Sequence, residues 1–168
     1  GDPGVADEVW AMGLRNPWKF SFTPDGRMVV ADVGQNAWEE VSLVQAKDNL
    51  GWNTREASHC FIEGSSCSSA GLVDPIFEYG RDEGKSITGG YVATNNNIAA
   101  IQDHYIFADF VSGRLWAISL PDEQGGPLVD AKALGQWPFL PSTFAQSADG
   151  TIYVAGFGEG TLYRIEPD

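Results

Sequence analysis

The chain is short of three things: basic charge, sulfur and long apolar runs. Ten Lys and Arg stand against 23 Asp and Glu, for a formal net charge of −13. A surface that acidic repels phosphate, which binds through clustered Lys and Arg, so nucleic acid and anionic membrane are excluded as partners. No apolar run approaches the roughly 18 residues of a bilayer-crossing helix, so no membrane span is expected. Two cysteines and two histidines are too few, at their spacing, for a structural zinc set. A Gly-rich phosphate loop and a Gly-x-Ser-x-Gly nucleophile elbow are also missing. Glu39 and Glu40 are adjacent, and neighbours on a strand point to opposite faces, which argues against a paired-carboxylate hydrolase.

What is present describes a folded all-β protein. A length of 168 residues, 43% hydrophobic, is enough for one domain with a core. Twenty Gly and nine Pro favour a turn-rich architecture. The acidic excess serves solubility, and it also offers oxygen ligands to a cation such as Ca²⁺. Cys60 and Cys67 close a Gly- and Ser-containing loop, which suggests a disulfide that stabilises by roughly 2–3 kcal/mol. Free thiols or part of a metal site are the alternatives. A disulfide implies an oxidising location: secreted, periplasmic or extracellular. The chain opens at Gly1-Asp2-Pro3-Gly4 without a leader, so any export signal is expected to be removed or to lie outside it.

Period-2 runs recur along the chain. Glu8 to Met12 reads as a short strand, and Trp18 to Thr23 alternates Phe20 and Phe22 with Lys19 and Ser21. Pro24-Asp25-Gly26 is a turn, because Pro presets φ and Gly accepts φ > 0. Pro75 to Tyr79 is a strand, and Ser86 to Thr94 another, with the Gly89-Gly90 pair allowing close backbone approach or a bulge. Asn95-Asn96-Asn97 is a loop. One pattern appears three times: an apolar strand, a Gly-containing loop, then an alternating outer strand. The copies are Met28–Val33 with Glu40–Val44, Tyr105–Phe110 with Arg114–Ile118, and Ile152–Phe157 with Thr161–Ile165. Such repeats point to β-propeller blades over a β-sandwich. The expected units are 8–47, 48–120 and 121–168, with a disulfide loop over 57–70. Three blades do not close a ring, so the missing half or a second copy of the chain is the expected partner.

The runs Gly13-Leu14-Arg15-Asn16-Pro17-Trp18, Asp32 through Glu40, Gly51-Trp52, His59-Cys60-Phe61, Ser86 through Tyr91 and Phe107-Ala108-Asp109 together resemble the glucose/sorbosone dehydrogenase family. The resemblance covers nearly the whole chain and corresponds to the C-terminal half of a family member. It implies six blades, about three of them here, and in some members pyrroloquinoline quinone (PQQ) and Ca²⁺. By that resemblance Arg15 and Asn16 contact the quinone, and the Gly34-Gln35 loop gives carbonyl oxygens to Ca²⁺. The implied reaction is oxidation of a sugar hydroxyl, with hydride passing to the quinone. The histidine base of the family lies in blades outside this chain, so the chain is not expected to act alone. His59 and His104 are read as surface or packing histidines. Val111, Leu140 and Ser142 stand where the family supplies a lysine and arginines, and Val33 stands where it has a glutamine.

Each candidate also has a plain structural reading. Arg15 could pair with Asp32 or Glu40, and Gly34-Gln35 could be an ordinary loop. Asp32 and Asp109 hold equivalent places in their repeats, which suggests that they bond backbone N–H groups. Trp18, Trp38, Trp116 and Trp137 suit blade packing. Two functions are therefore carried forward: half of a quinone-type sugar dehydrogenase, or a secreted Ca²⁺-binding propeller that recognises glycan or protein without redox chemistry.

Overall fold

The computed structural model describes residues 8–94 and 98–167; the entry segment 1–7 and the Asn95-Asn96-Asn97 loop lie outside the described residues. The strands are β1 (Pro17–Phe22), β2 (Met28–Asp32), β3 (Trp38–Val44), β4 (Arg55–Glu56), β5 (His59–Cys60), β6 (Phe77–Gly80) and β7 (Ile87–Val92). They continue with β8 (His104–Asp109), β9 (Arg114–Ser119), β10 (Ala131–Gln136), β11 (Leu140–Gln146), β12 (Ile152–Phe157) and β13 (Thr161–Arg164). A 3-10 turn at Ala99–Ile101 is the helical element among the described residues. No helix there is long and apolar enough to cross a membrane.

Among the described residues three larger antiparallel sheets form, ordered β1-β2-β3-β6, β10-β9-β8-β7 and β11-β12-β13, beside a two-stranded β4-β5 sheet. The first hairpin follows its turn residues. Thr23 and Arg27 close it through a backbone hydrogen bond of 2.9 Å, and Gly26 takes a φ of +87° that a side chain would resist. β7 meets β8 through a shift in register between Thr88 and Tyr91, the bulge expected at the Gly pair. The sheets stack face to face. Val29, Ala31, Val41 and Tyr79 of the first meet Ile87, Phe107 and Trp116 of the second. Ile106, Ala108 and Leu115, from the other face of the second, meet Phe144, Ile152 and Val154 of the third. β8 is thus buried on both faces, which is why Tyr105–Ala108 reads as an unbroken apolar run.

The inner strands of the three sheets adjoin. Trp18 Nε1 on β1 donates to the Ser142 carbonyl on β11 at 3.0 Å, and Thr88 Oγ1 on β7 donates to the Pro141 carbonyl at 2.8 Å. The result is an all-β arc of about three propeller blades. Both ends of the arc are open: Trp18, Phe20 and Phe22 are exposed on the first sheet, and Phe157 and Leu162 on the third.

Several sequence expectations change. Glu8 to Met12 is not a strand; Met12 makes an isolated bridge to Asn49. The sheets occupy 17–80, 87–136 and 140–164, which differs from divisions at 47 and 120, because β6 returns after the cysteine excursion to pair with β3. β3 is therefore an interior strand, buried almost throughout, and not an outer one. β10 and β11 carry weak signals, Ala-Lys-Ala-Leu-Gly-Gln and Leu-Pro-Ser-Thr-Phe-Ala-Gln, and the sequence did not reveal them.

The excursion between β3 and β6 carries the small β4–β5 hairpin and the Cys60–Cys67 disulfide, with a Cα–Cα distance of 5.7 Å. Cysteines 60 and 67 are bonded, so free thiols and a shared metal are set aside. For so short a loop, replacing both with serine is expected to lower stability by about 2.5 kcal/mol. Denaturant melts of the variant, compared with the parent with and without reductant, check this. Equal midpoints for all three would contradict it.

Candidate functional site

Antiparallel pairing gathers the candidates at one end of the arc. The turn before β1, the β2–β3 loop, the β8–β9 turn and the start of β11 all lie at the same end of their sheets. Arg15, Asn16, Gly34, Gln35, Val111, Leu140 and Ser142 therefore share that end.

The Arg15-Asn16 turn is fixed from below by Asp32. Its carboxylate accepts the Arg15 backbone N–H at 2.8 Å and the Asn16 backbone N–H at 2.6 Å, while the Asn16 carbonyl takes the Val33 N–H at 3.1 Å. The role expected for Asp32, bonding backbone N–H groups, is what the geometry shows. The Arg15 side chain pairs with neither Asp32 nor Glu40. Its Nε donates to Gln35 Oε1 at 2.9 Å, with Nη2 on the same oxygen, and Nη1 donates to the Val33 carbonyl at 2.9 Å. The two sets of candidates thus touch. Trp52 lies beneath the guanidinium at 5.7 Å, and the Phe61 ring meets Trp52 edge-on at 4.6 Å. The disulfide excursion supplies both rings. That role is not legible from spacing alone, although Gly51-Trp52 and His59-Cys60-Phe61 stand out in the sequence.

Gly34 admits no other residue. A Cβ there would sit 1.6 Å from the Trp38 carbonyl oxygen and 2.7 Å from Glu56 Oε1. Glu56 is buried and caps the loop, accepting the N–H of Asn36 at 2.7 Å and of Ala37 at 3.1 Å. A cavity of about 10 Å³, room for about one water, lies among Arg15, Asp32, Gly34, Glu40, Trp52 and Glu56.

Carboxylates line up under the site. Asp32, Glu40 and Glu78 are directly opposite one another across β2, β3 and β6. Glu78 is held by Ser58 and by His59 Nε2 at 2.8 Å, and His59 stacks on Trp38 at 3.9 Å. His59 thus packs, as expected; His104 bonds Gln102 and Ser119 on the outer side of the second sheet. Burial, then the Asp32 and Glu78 charges, pushes Glu40 well above the usual carboxylate range. Burial also raises Asp32 and Glu39. A raised carboxyl pKa means that the folded state holds its proton more tightly than the unfolded chain. That stabilisation is complete below the ordinary value of 4.5 and is lost as pH rises through the raised one. Glu40→Gln is therefore expected to raise stability at about pH 8 and to flatten the fall from about pH 5. Urea midpoints at the two pH values check this, and an unchanged slope would contradict it.

Within these residues a quinone would meet few cations. PQQ is a tricarboxylate and needs cations around it. Arg55 is engaged by Asp74 and the Ser58 carbonyl and Arg81 by Glu39, which leaves Arg15 and, at the start of β9, Arg114 at this end. Val111 is half exposed and apolar, Leu140 opens β11, and Ser142 spends its hydroxyl on the Ala155 carbonyl. Buried acids surround the turn instead. Among the described residues no three His, Cys, Asp or Glu converge to hold a metal, so Ca²⁺ would have to rely on the Gly34 and Gln35 carbonyls.

Known proteins resemble this chain in sequence or in fold. The HIPL2 protein of Arabidopsis thaliana is 34% identical over 145 residues, which is 78% of this chain and 21% of that protein. Quinoprotein glucose dehydrogenase B of Acinetobacter calcoaceticus is 21% identical over 186 aligned positions, 98% of this chain and 36% of that protein. The PQQ-bound aldose sugar dehydrogenase of Streptomyces coelicolor superposes with a TM-score of 0.69 at 21% identity, covering 99% of this chain and 47% of that one. The chain thus spans about a fifth to a third of those curated relatives and about half of the solved structure. The glucose/sorbosone dehydrogenase family model matches residues 1–164. With an all-β arc of propeller sheets beneath that match, the chain belongs to the glucose/sorbosone dehydrogenase family.

Proposed function

We propose that the chain is the C-terminal half of a six-bladed, exported propeller whose Arg15 end recognises a carbohydrate, without quinone chemistry. One observation carries the reading: the Arg15 guanidinium is bound edge-on to the Gln35 amide and backed by Trp52. A planar donor and an amide are groups that take up the hydroxyl pairs of a sugar ring. The disulfide supports the exported location. The relatives named as sugar dehydrogenases support the ligand class.

Redox activity of the completed protein is the second reading. The contact between Arg15 and Gln35 favours it, since the family resemblance assigns these positions to quinone and Ca²⁺. If bound, the quinone would supply a hydride acceptor, with Arg15 and Asn16 as its contacts in this chain and the Gly34 and Gln35 carbonyls toward Ca²⁺.

Titration of the complete protein with aldoses and oligosaccharides, followed by tryptophan fluorescence, tests the first reading. Arg15→Ala is expected to weaken binding by about tenfold or more, the worth of a charged hydrogen bond. Failure of every sugar to bind at millimolar concentration, or equal binding by the variant, would overturn it.

A further inference from the structure

The excursion between β3 and β6 reaches the Arg15 end through two rings, Trp52 and Phe61. Its later part is loosely attached. The Ser65 N–H donates to the Ile62 carbonyl at 3.1 Å and the Ala70 N–H to Ser68 Oγ at 3.2 Å, both within the stretch itself. Among the described residues no hydrogen bond or ion pair ties 62–71 to any strand. The disulfide does, joining Cys67 to Cys60 on β5. The β4–β5 hairpin is only two residue pairs, Arg55 with Cys60 and Glu56 with His59, and a ladder that short holds little order by itself. Phe61 follows Cys60 directly. Its N–H reaches the Thr54 carbonyl at 3.1 Å, and its half-buried ring meets Trp52 edge-on. Trp52 in turn is anchored on the Arg15 turn, because its N–H donates to the Gly13 carbonyl at 2.9 Å. A line of contacts therefore runs from the disulfide through Phe61 and Trp52 to the Arg15 guanidinium.

We infer that the Cys60–Cys67 disulfide is a redox-sensitive latch on the Arg15 end, with Phe61 and Trp52 as positioning residues. Closed, it confines Phe61 against Trp52 and so limits how far the indole and the guanidinium over it can turn. Both cysteines are half-buried, so a dithiol can reach them. The dithiol supplies two electrons and two protons: the S–S bond breaks, Cys60 and Cys67 become thiols, and the dithiol closes to its own disulfide. Phe61 then stands at the root of a loop with no other anchor, and its contact with Trp52 is lost for part of the time. Arg15 keeps its bonds to Gln35 and to the Val33 carbonyl but loses the fixed ring beneath it. Binding at this end weakens while the fold stays. What is bound there rests on the sugar reading; the latch itself does not.

The test uses the complete protein without sugar and reads the labelling of each arginine by a guanidine-directed dicarbonyl, followed by peptide mass spectrometry. Reduction by a dithiol, with the freed thiols capped and the reductant removed, is expected to speed Arg15 labelling by about three- to tenfold, the worth of one aromatic pair and one exposed cation–π contact. Cys60→Ser with Cys67→Ser, uncapped, is expected to do the same. Phe61→Ala with the disulfide intact is expected to match it, and reduction of that variant to add nothing further. Phe61→Tyr is expected to behave as the parent. Arg114, at the same end on the second sheet, is the reference and is expected to keep its rate. Equal Arg15 rates in all forms would overturn the latch. So would a rise at Arg114 as large as that at Arg15, which would mean general opening. Sugar affinity is expected to fall by the same factor as Arg15 labelling rises. If no form binds sugar, the ligand reading fails and the Arg15 rates still decide the latch.

Discussion

Asp109→Ala is expected to destabilise the chain by about 4 kcal/mol, near the top of the range for a single substitution. Asp109 is fully buried at the end of β8. Its carboxylate accepts the backbone N–H of Lys85 and Ser86 at 2.6 Å each, of Ser112 at 2.7 Å and of Val111 at 3.0 Å, and the Tyr79 hydroxyl at 2.9 Å. One side chain thereby joins the turn before β7, the turn after β8 and the outer strand of the first sheet. Alanine leaves five donors facing a void, and water reaching them offsets only part of the loss. Asp109→Asn keeps the volume but has one acceptor oxygen in place of two, so an intermediate loss is expected. Asp32 does the same work with two backbone donors at the Arg15-Asn16 turn. Urea midpoints for the three variants are expected to rank Asp109→Ala below Asp109→Asn and Asp32→Ala. A loss under about 1 kcal/mol for Asp109→Ala would contradict the account.

Gly90→Ala is expected to cost at least about 3 kcal/mol or to prevent folding. The bulge between β7 and β8 brings backbone onto backbone, and a Cβ at Gly90 would lie 1.6 Å from the Ile106 carbonyl oxygen. Nothing flexible can yield there, because β8 is packed on both faces. Gly90 also donates its N–H to the Tyr105 hydroxyl at 2.9 Å, a contact that a shifted backbone loses. Gly126→Ala is the control: nothing lies within 4 Å of a Cβ there, so a change within about 0.5 kcal/mol is expected. Equal melts for the two variants would show that the bulge is slack.

The fold was legible where each strand carried its own period and its own turn. β2, β8 and β12 are apolar runs followed by Gly-containing loops, and their likeness to one another gave the blades. β10 and β11 were not legible, because their partly exposed residues carry no strong alternation. The pairing of β6 with β3 across the excursion 45–76 was hidden too, since nothing local marks a return to a distant partner. At the site, the family motif pointed to Arg15, Asn16, Gly34 and Gln35, and the first and last of these do meet. The aromatic backing from Trp52 and Phe61 and the row Asp32–Glu40–Glu78 depend on strand register, which spacing along the chain does not reveal.

The central proposal is that this end of the propeller recognises a sugar through the Arg15–Gln35 pair and does not use a quinone. The direct measurement is dye reduction by the complete protein, supplied with PQQ and Ca²⁺ and offered a panel of aldoses. The account predicts sugar binding with no dye reduction above the protein-free rate. Turnover that depends on PQQ, and that Arg15→Ala removes, would contradict it.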